Sequence, residues 1–124
     1  MFYKHFTGVT FTTGIKNLAD EKSSYWLIDA IASHVCANPK FKKRCSFDQM
    51  FDDMQIWILE KTQENQARLF CVADTIQEEL NNPTCEQKIP FTDFEFEGND
   101  IKFYCAKNFL DGKKYYTIML PNEY

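Results

Sequence analysis

The sequence has little of what several large functional classes require. Its four glycines are isolated from one another, so no glycine-rich loop is available to hold a phosphate or a nucleotide cofactor. Its 14 basic residues are fewer than its 18 acidic ones, and the net charge of −4 argues against a nucleic-acid-binding protein. Its apolar runs are far shorter than the roughly 20 residues of a membrane span, and no signal-peptide pattern follows Met1. We therefore expect a cytoplasmic protein with no cofactor, no direct nucleic-acid partner and no membrane partner.

The sequence also lacks the cysteine and histidine patterns of metal sites and cysteine enzymes. Its five cysteines are odd in number and follow no disulfide-framework spacing, which favours reduced thiols. His34, Cys36 and Cys45 offer three ligands for zinc, but they lack the paired Cys-x₂₋₄-Cys spacing of structural zinc sites. His34 and Cys36 would lie about 200° apart on a helix, so they do not form a local nucleophile–base pair. We expect no metal ligand and no catalytic residue here, while the pairing of a histidine with a cysteine distant in sequence stays open.

What the sequence does contain is enough apolar surface for one packed domain. Its 124 residues fit a single domain over 1–124, and 16% of them are aromatic. Residues 1–47 carry seven basic and three acidic side chains, whereas residues 48–124 carry seven basic and fifteen acidic ones. This shift coincides with a change from helical to strand periodicity. The pattern predicts an α+β fold, with N-terminal helices packed on one face of an antiparallel sheet of about four to five strands.

The helical part is centred on one apolar segment. Residues 25–37 (YWLIDAIASHVCA) are apolar nearly all round, which is typical of a buried helix, and Asn38-Pro39 ends it. Before it, Thr13 is predicted to cap a helix over residues 14–20. A capping-box pattern at residues 75–78 predicts one further helical turn.

The remaining chain reads as strands joined by tight turns. Alternation begins at residue 54, a second strand covers residues 67–73, and Glu64-Asn65 forms the tip between them. A third strand is predicted over residues 86–91. Asp111-Gly112 fits a two-residue type I′ turn, which pairs Cys105 with Ile118. One face of this last hairpin is then the core side.

The other face of the last hairpin carries candidates for a protein interface. Tyr104, Tyr115 and Met119 share that face, and Tyr and Met are enriched at the centres of interfaces. Scattered exposed apolar residues are also normal on protein surfaces, and only a contiguous patch indicates function. The sequence leaves these two interpretations open.

An acidic segment is a second candidate interface. If residues 93–97 are extended, Asp93, Glu95 and Glu97 project to one side, spaced by about 6.6 Å at about 3.3 Å per residue. This spacing is close to that of phosphates along a single nucleic-acid strand, so the edge could imitate nucleic acid to a basic enzyme. Asp100 extends the acidic set. The simpler interpretation is an ordinary solvated face of a half-buried strand.

Two further charged features have both a functional and a structural interpretation. Asp29 lies in the apolar helix, where a carboxylate needs a partner. It is either an acid or base with a raised pKa or a buried anchor that accepts hydrogen bonds from the N-terminal segment or a lysine. We favour the anchor, since no second acidic residue shares its helix face. The basic run at residues 40–44 could meet a phosphate or a carboxylate, although a solvated loop is the commoner outcome.

Several segments together are similar to a known protein family. The segments FTTGIKNLAD, SYWLIDAIASH, MQIWILE and IPFTDF…IKFY…LPNEY resemble small uncharacterised bacterial proteins classified as a domain of unknown function. The YWLIDAIAS block is the most specific part, and the chain departs from the family pattern at residues 75–84 and 110–114. Members are found in phages, plasmids and chromosomal islands. No catalytic residue is assigned to the family, so the resemblance implies none here. It does imply an origin in mobile elements, whose small proteins often block host defence or other host machinery.

These observations lead to one functional prediction and one alternative. We predict a non-enzymatic inhibitor, anti-CRISPR-like, that covers a surface of a larger protein or protein–nucleic-acid complex. The alternative is a small enzyme with a site around Asp29 and a Cys–His pair. The residues predicted to bind the partner are Asp93, Glu95, Glu97, Asp100, Tyr104, Tyr115 and Met119.

Overall fold

The computed structural model describes residues 2–124, with residue 110 described by its backbone alone. Two short strands come first, followed by four helices, and then five strands with one further helix between them. The strands are β1 (Phe2–Lys4), β2 (Thr10–Thr12), β3 (Met54–Gln63), β4 (Gln66–Val72), β5 (Cys85–Ile89), β6 (Asp100–Leu110) and β7 (Lys113–Met119). The helices are α1 (Thr13–Lys22), α2 (Tyr25–Ala37), α3 (Pro39–Phe47), α4 (Gln49–Asp53) and α5 (Gln77–Asn81), and a 3₁₀ turn covers Pro121–Glu123. The α+β class is confirmed.

Side-chain caps set the helix ends in the first half of the chain. Thr12, one residue earlier than predicted, caps α1 by accepting a hydrogen bond from the Ile15 amide. Asn38 ends α2, as predicted, and its side chain also caps α3 by accepting the Lys40 amide at 2.9 Å. Pro39 lies in the first turn of α3, and the basic run at residues 40–44 is part of this helix. The prediction of a loop there is wrong. The capping box predicted at residues 75–78 does not form, because the cap of α5 is Ile76 and no side chain accepts there.

All seven strands form one sheet, in the order β1-β2-β7-β6-β3-β4-β5. Every pairing is antiparallel except that of β2 with β7, where Phe11 lies opposite Ile118 in parallel register. The sheet is therefore mixed and larger than the predicted antiparallel sheet of four to five strands. β1 was not predicted, because three residues are too few for an alternation pattern to be recognised. β2 lies within residues 6–13, whose threonine, phenylalanine and valine content predicts a short extended segment.

Both predicted hairpins form. Asn65 lies at the tip between β3 and β4 with a φ of 59°, and Asp111 and Gly112 have φ of 52° and 76°, as a type I′ turn requires. Cys105 pairs with Ile118, as the turn predicts. The third predicted strand is found at Cys85–Ile89, but residues 90–98 pair with no strand, so the predicted continuation of that strand is wrong.

The helices cover one face of the sheet and form the main core with it. Trp57, Leu59 and Phe103 on this face are almost inaccessible to solvent and belong to one core cluster with the buried residues of α2. The opposite face carries a second, smaller cluster built on Ile58, Phe70 and Val72. Met119 belongs to this opposite face but is only 7% exposed, so its predicted place in an accessible interface is wrong.

Candidate functional site

The predicted acidic segment is extended and exposes its carboxylates, although it forms no strand. Asp93, Glu95 and Glu97 are exposed, whereas Phe94 is buried and Phe96 is half-buried. The two rings pack 4.9 Å apart and anchor the inner side of the segment. The alternation predicted from the sequence is thus present, held by side-chain burial instead of strand pairing.

Backbone contacts fix the position at which this segment begins. The Thr92 amide donates to the Asn65 carbonyl at 2.9 Å, at the tip of the β3–β4 hairpin. The Phe94 amide in turn donates to the Thr92 hydroxyl at 3.1 Å. A buried threonine and a hairpin tip therefore define where the acidic side chains point.

Asp100 and Glu21 extend this surface, which we call the acidic edge: Glu21, Asp93, Glu95, Glu97 and Asp100. Glu21 lines a cavity of about 190 Å³ together with Asp93 and Glu95, and Asp100 lines a neighbouring cavity of about 160 Å³ with Glu95 and Glu97. Within residues 2–124 none of the five carboxylates takes part in an ion pair. Lys22 also lines both cavities, but its single positive charge leaves the acidic edge with an excess of negative charge that suits a positively charged partner.

The aromatic candidates lie elsewhere, on the sheet face opposite the helices. Tyr104 and Tyr115 are half-buried there. The ring of Tyr104 packs edge-on against Tyr124 at 5.7 Å, so the C-terminal turn covers part of it. Tyr124 borders a groove of about 490 Å³ that Met50 and Ile76 also line. The structure does not bring this groove together with the cavities of the acidic edge.

Asp29 has a partner in the N-terminal segment, as predicted, but the partner is the side chain of His5 and the carboxylate is not buried. The side chain of Asp29 is 63% exposed, and its Oδ1 accepts a hydrogen bond from His5 Nε2 at 2.6 Å. The other ring nitrogen, Nδ1, lies 2.8 Å from the Thr7 hydroxyl and accepts the Thr7 amide at 3.3 Å. His5 thus joins a carboxylate to a hydroxyl, the arrangement in which a histidine acts as a base. His5 lies 24 residues from Asp29, and no local pattern indicates this contact.

The second histidine is used structurally. Nδ1 of His34 accepts from the Asn38 amide group at 2.9 Å, and Nε2 lies 2.9 Å from the Gln87 side-chain oxygen. Both ring nitrogens are occupied, so His34 does not activate Cys36. The five cysteines are free thiols. The described residues 2–124 contain no group of three or more metal-binding side chains.

The cysteines inside the fold are poor nucleophiles. Burial, together with the nearby Asp52 charge, raises the pKa of Cys45 to about 11, and burial raises that of Cys85 to about 11. Burial also raises the pKa of Cys71 and Cys105. These four thiols are protonated at neutral pH, and the thiolate is the reactive form.

Sequence reasoning missed a polar cavity between the helices and the last hairpin. It measures about 320 Å³ and we call it the Asp52 cavity. Asp52, on α4, accepts a hydrogen bond from the Tyr116 hydroxyl and one from Lys107 Nζ at 2.8 Å. The type I′ turn places Lys107 opposite Tyr116, so this pairing could have been predicted from the sequence. No local pattern indicates that a carboxylate from α4 lies between these two side chains. The lining residues are Val35, Phe41, Lys42, Cys45, Ser46, Asp52, Lys114 and Tyr116.

The charges of the Asp52 cavity are tightly coupled. Burial alone would raise the pKa of Asp52, but hydrogen bonds from Lys107 and Tyr116 and the charges of Lys114 and Lys107 hold it below the ordinary value. Burial and the bond to Asp52 raise the pKa of Tyr116 well above its usual range. Asp52 is therefore ionised and Tyr116 protonated at neutral pH.

Comparisons with known proteins identify a family and leave the function open. Among the described residues, no helix is long and apolar enough to cross a membrane. Comparisons with curated proteins and with solved structures give no significant match. One family model, that of the DUF6876 family of unknown function, matches residues 1–124, which confirms the expected membership in an uncharacterised family. The chain therefore belongs to the DUF6876 family of proteins of unknown function.

Proposed function

We propose that this protein is a non-enzymatic inhibitor that binds a larger nucleic-acid-handling protein and covers its basic surface with the acidic edge. An anti-defence protein of a phage or another mobile element, acting on a CRISPR effector or a similar complex, is the form that we favour. The proposal rests on one observation above all. Five exposed carboxylates lie together on one surface, and none of them has an ion-pair partner within residues 2–124.

The geometry of the acidic edge supports binding to a groove that normally holds nucleic acid. Alternate side chains of an extended chain are about 6.6 Å apart, which approximates the spacing of phosphates along a single strand. Phe94 and Phe96 hold the segment against the protein, so the backbone that carries the carboxylates is fixed before binding. Such preorganisation lowers the entropic cost of association. Clustered charge of one sign also raises the association rate with an oppositely charged partner.

The test begins with the partner. Affinity capture from host cytoplasm followed by mass spectrometry identifies it, and the purified pair is then measured by surface plasmon resonance at several salt concentrations. The triple variant Asp93→Asn, Glu95→Gln and Glu97→Gln keeps shape and hydrogen-bonding capacity while it removes three charges. We expect slower association and a shallower salt dependence, because steering acts mainly on the encounter.

A matched control distinguishes the effect of the acidic edge on binding from the effect of the protein's net charge. The variant Asp74→Asn, Glu78→Gln and Asp111→Asn also removes three exposed charges, at positions outside the acidic edge. It should bind as the wild type does. Unchanged binding by the acidic-edge variant at every salt concentration would contradict the proposal, as would equal losses in both variants.

A second candidate function, a small enzyme with a hydroxyl nucleophile, is favoured by the contacts of His5. The hydrogen bonds of His5 to Asp29 and Thr7 match the order carboxylate–imidazole–hydroxyl that activates such a nucleophile. In this role His5 takes the proton of the Thr7 hydroxyl, and Asp29 orients the ring. The half-buried Thr7 lies beside the highly exposed Phe6, where a substrate could approach.

A fluorophosphonate probe tests this second candidate. Attack by Thr7 would displace fluoride and leave the phosphonate on the hydroxyl oxygen, and intact-mass spectrometry detects the adduct. Labelling that disappears in both Thr7→Val and His5→Gln, with folding retained, would favour the enzyme. Absence of labelling in the wild type would exclude this use of the three side chains.

A further inference from the structure

The Asp52 cavity has the size and the lining of a small-molecule site. Its volume of about 320 Å³ lies at the lower end of the range of about 300–1,000 Å³ that is usual for ligand pockets. Its walls are formed by residues of α2, α3, α4 and β7. Val35 and Phe41 are buried and supply an apolar wall, and the other lining residues are mostly polar.

The residues that line the cavity carry more positive than negative charge. Asp52 is the one carboxylate among them, and it pairs with Lys107, which also pairs with Asp53 and does not itself line the cavity. Lys42 and Lys114 do line it, and within residues 2–124 neither forms an ion pair with a carboxylate. The Lys114 ammonium lies 5.2 Å from the centre of the Tyr116 ring, above one wall of the cavity. The fold therefore brings two lysines that form no ion pair to one cavity, although the protein as a whole is acidic.

The floor of the cavity can accept a further hydrogen bond. An ionised carboxylate has about four acceptor positions. Asp52 uses one on Oδ1 for Tyr116 and one on Oδ2 for Lys107, and the Cys45 thiol is a third hydrogen-bond partner, so one position remains. A ligand with a hydroxyl or amino donor could meet this position while its anionic group lies between the two lysines.

We propose that the Asp52 cavity binds a small organic oxyanion, with its charged group between Lys42 and Lys114 and a hydrogen-bond donor directed at Asp52. Two lysines recognise an oxyanion as point charges and do not by themselves distinguish a phosphate from a carboxylate. The donor requirement separates this ligand from a simple inorganic ion. The site is independent of the acidic edge, and it does not depend on the function proposed above.

Titrations followed by two-dimensional amide NMR test the proposal with defined probes. Glycerol 3-phosphate and glycerate each combine an oxyanion with hydroxyl donors, inorganic phosphate has the charge alone, and glycerol has the donors alone. We expect saturable shifts at the amides of Cys45, Ser46 and Tyr116 with glycerol 3-phosphate or glycerate, and weaker binding of inorganic phosphate. The tighter of the two organic anions identifies the phosphate or the carboxylate as the preferred group.

Single substitutions locate the binding. Lys42→Gln and Lys114→Gln should each raise Kd about tenfold, as expected for the loss of one charge-assisted hydrogen bond. Lys43→Gln is the matched control, because Lys43 is exposed on the same helix and does not line the cavity. The proposal is overturned if neither organic anion shifts these amides at millimolar concentration, if glycerol binds equally well, or if Lys43→Gln weakens binding as much as Lys42→Gln.

Discussion

Replacement of Asp52 by asparagine tests whether the polar cluster at the base of the last hairpin stabilises the fold. The carboxylate is 13% exposed and accepts hydrogen bonds from Lys107 and Tyr116. An asparagine side chain at this position would have nearly the same shape and could still accept from the Tyr116 hydroxyl, but it would leave Lys107 without its buried counter-charge. The variant therefore removes charge while the packing of α4 stays close to that of the wild type.

The expected loss is large enough to measure. A hydrogen bond to a charged group contributes about 1.5–3 kcal/mol, so we expect the free energy of unfolding to fall by about 2 kcal/mol. At about 4 °C per kcal/mol for a domain of this size, Tm should fall by about 8 °C near pH 7. Thermal unfolding followed by circular dichroism provides the measurement.

The pH dependence gives this prediction a definite sign. The folded-state pKa of Asp52 lies below its ordinary value of 3.8, so the carboxylate stabilises the folded protein above that pH. This contribution is lost as the pH falls through the folded-state pKa. The difference in Tm between wild type and Asp52→Asn should therefore be greatest near neutral pH and shrink below about pH 4.

The neighbouring carboxylate is a matched control. Asp53 also pairs with Lys107, at 3.1 Å, but its side chain is 56% exposed. Because exposed ion pairs contribute little, Asp53→Asn should change Tm much less than Asp52→Asn. Equal losses in the two variants, or a difference between wild type and Asp52→Asn that persists in acid, would refute the reasoning.

Two further predictions concern glycines. Gly112→Val should destabilise the protein by about 1–2 kcal/mol, since it places a β-branched residue at a φ of 76°. Gly112→Asn should be tolerated, because asparagine accepts positive φ. Equal Tm values for the two variants would contradict the type I′ assignment. Gly14→Ala would bring a Cβ within 2.6 Å of the Glu123 carboxylate, which accepts hydrogen bonds from the Thr12 hydroxyl and the Leu120 amide. Although alanine favours a helix, we expect a loss of about 1 kcal/mol in chemical denaturation, and a gain would show that the Glu123 contacts contribute nothing.

Part of the candidate site could be read from local pattern. Asp93, Glu95 and Glu97 were predicted through their alternation with Phe94 and Phe96, which is retained because the two rings are buried or half-buried. Glu21, the member of the acidic edge contributed by α1, was not predicted. The prediction of a strand there was wrong, because alternation reports which side chains are buried and not whether the backbone has a partner strand. Met119 was misplaced for a related reason. The hairpin register assigned it to the correct face, but both faces of the sheet are covered at that point.

The sequence by itself determined the elements whose signals are local. The apolar helix at Tyr25–Ala37 follows from a nearly continuous apolar surface ended by Asn38-Pro39. The last hairpin follows from Asp111-Gly112, whose positive φ values only a few residue types accept. In each case the residues that specify the geometry lie within a few positions of one another. For this reason the α+β class and both hairpin turns could be predicted.

Only the tertiary structure decided which distant groups meet. The contact of His5 with Asp29 and that of Asp52 with Lys107 join residues 24 and 55 positions apart, and the parallel pairing of β2 with β7 joins the two ends of the chain. Such contacts depend on how the helices dock on the sheet, which is set by the packing of the whole core and by no single segment. The two cations of the Asp52 cavity have the same origin, because Lys42 and Lys114 become neighbours of one cavity only when α3 covers the last hairpin.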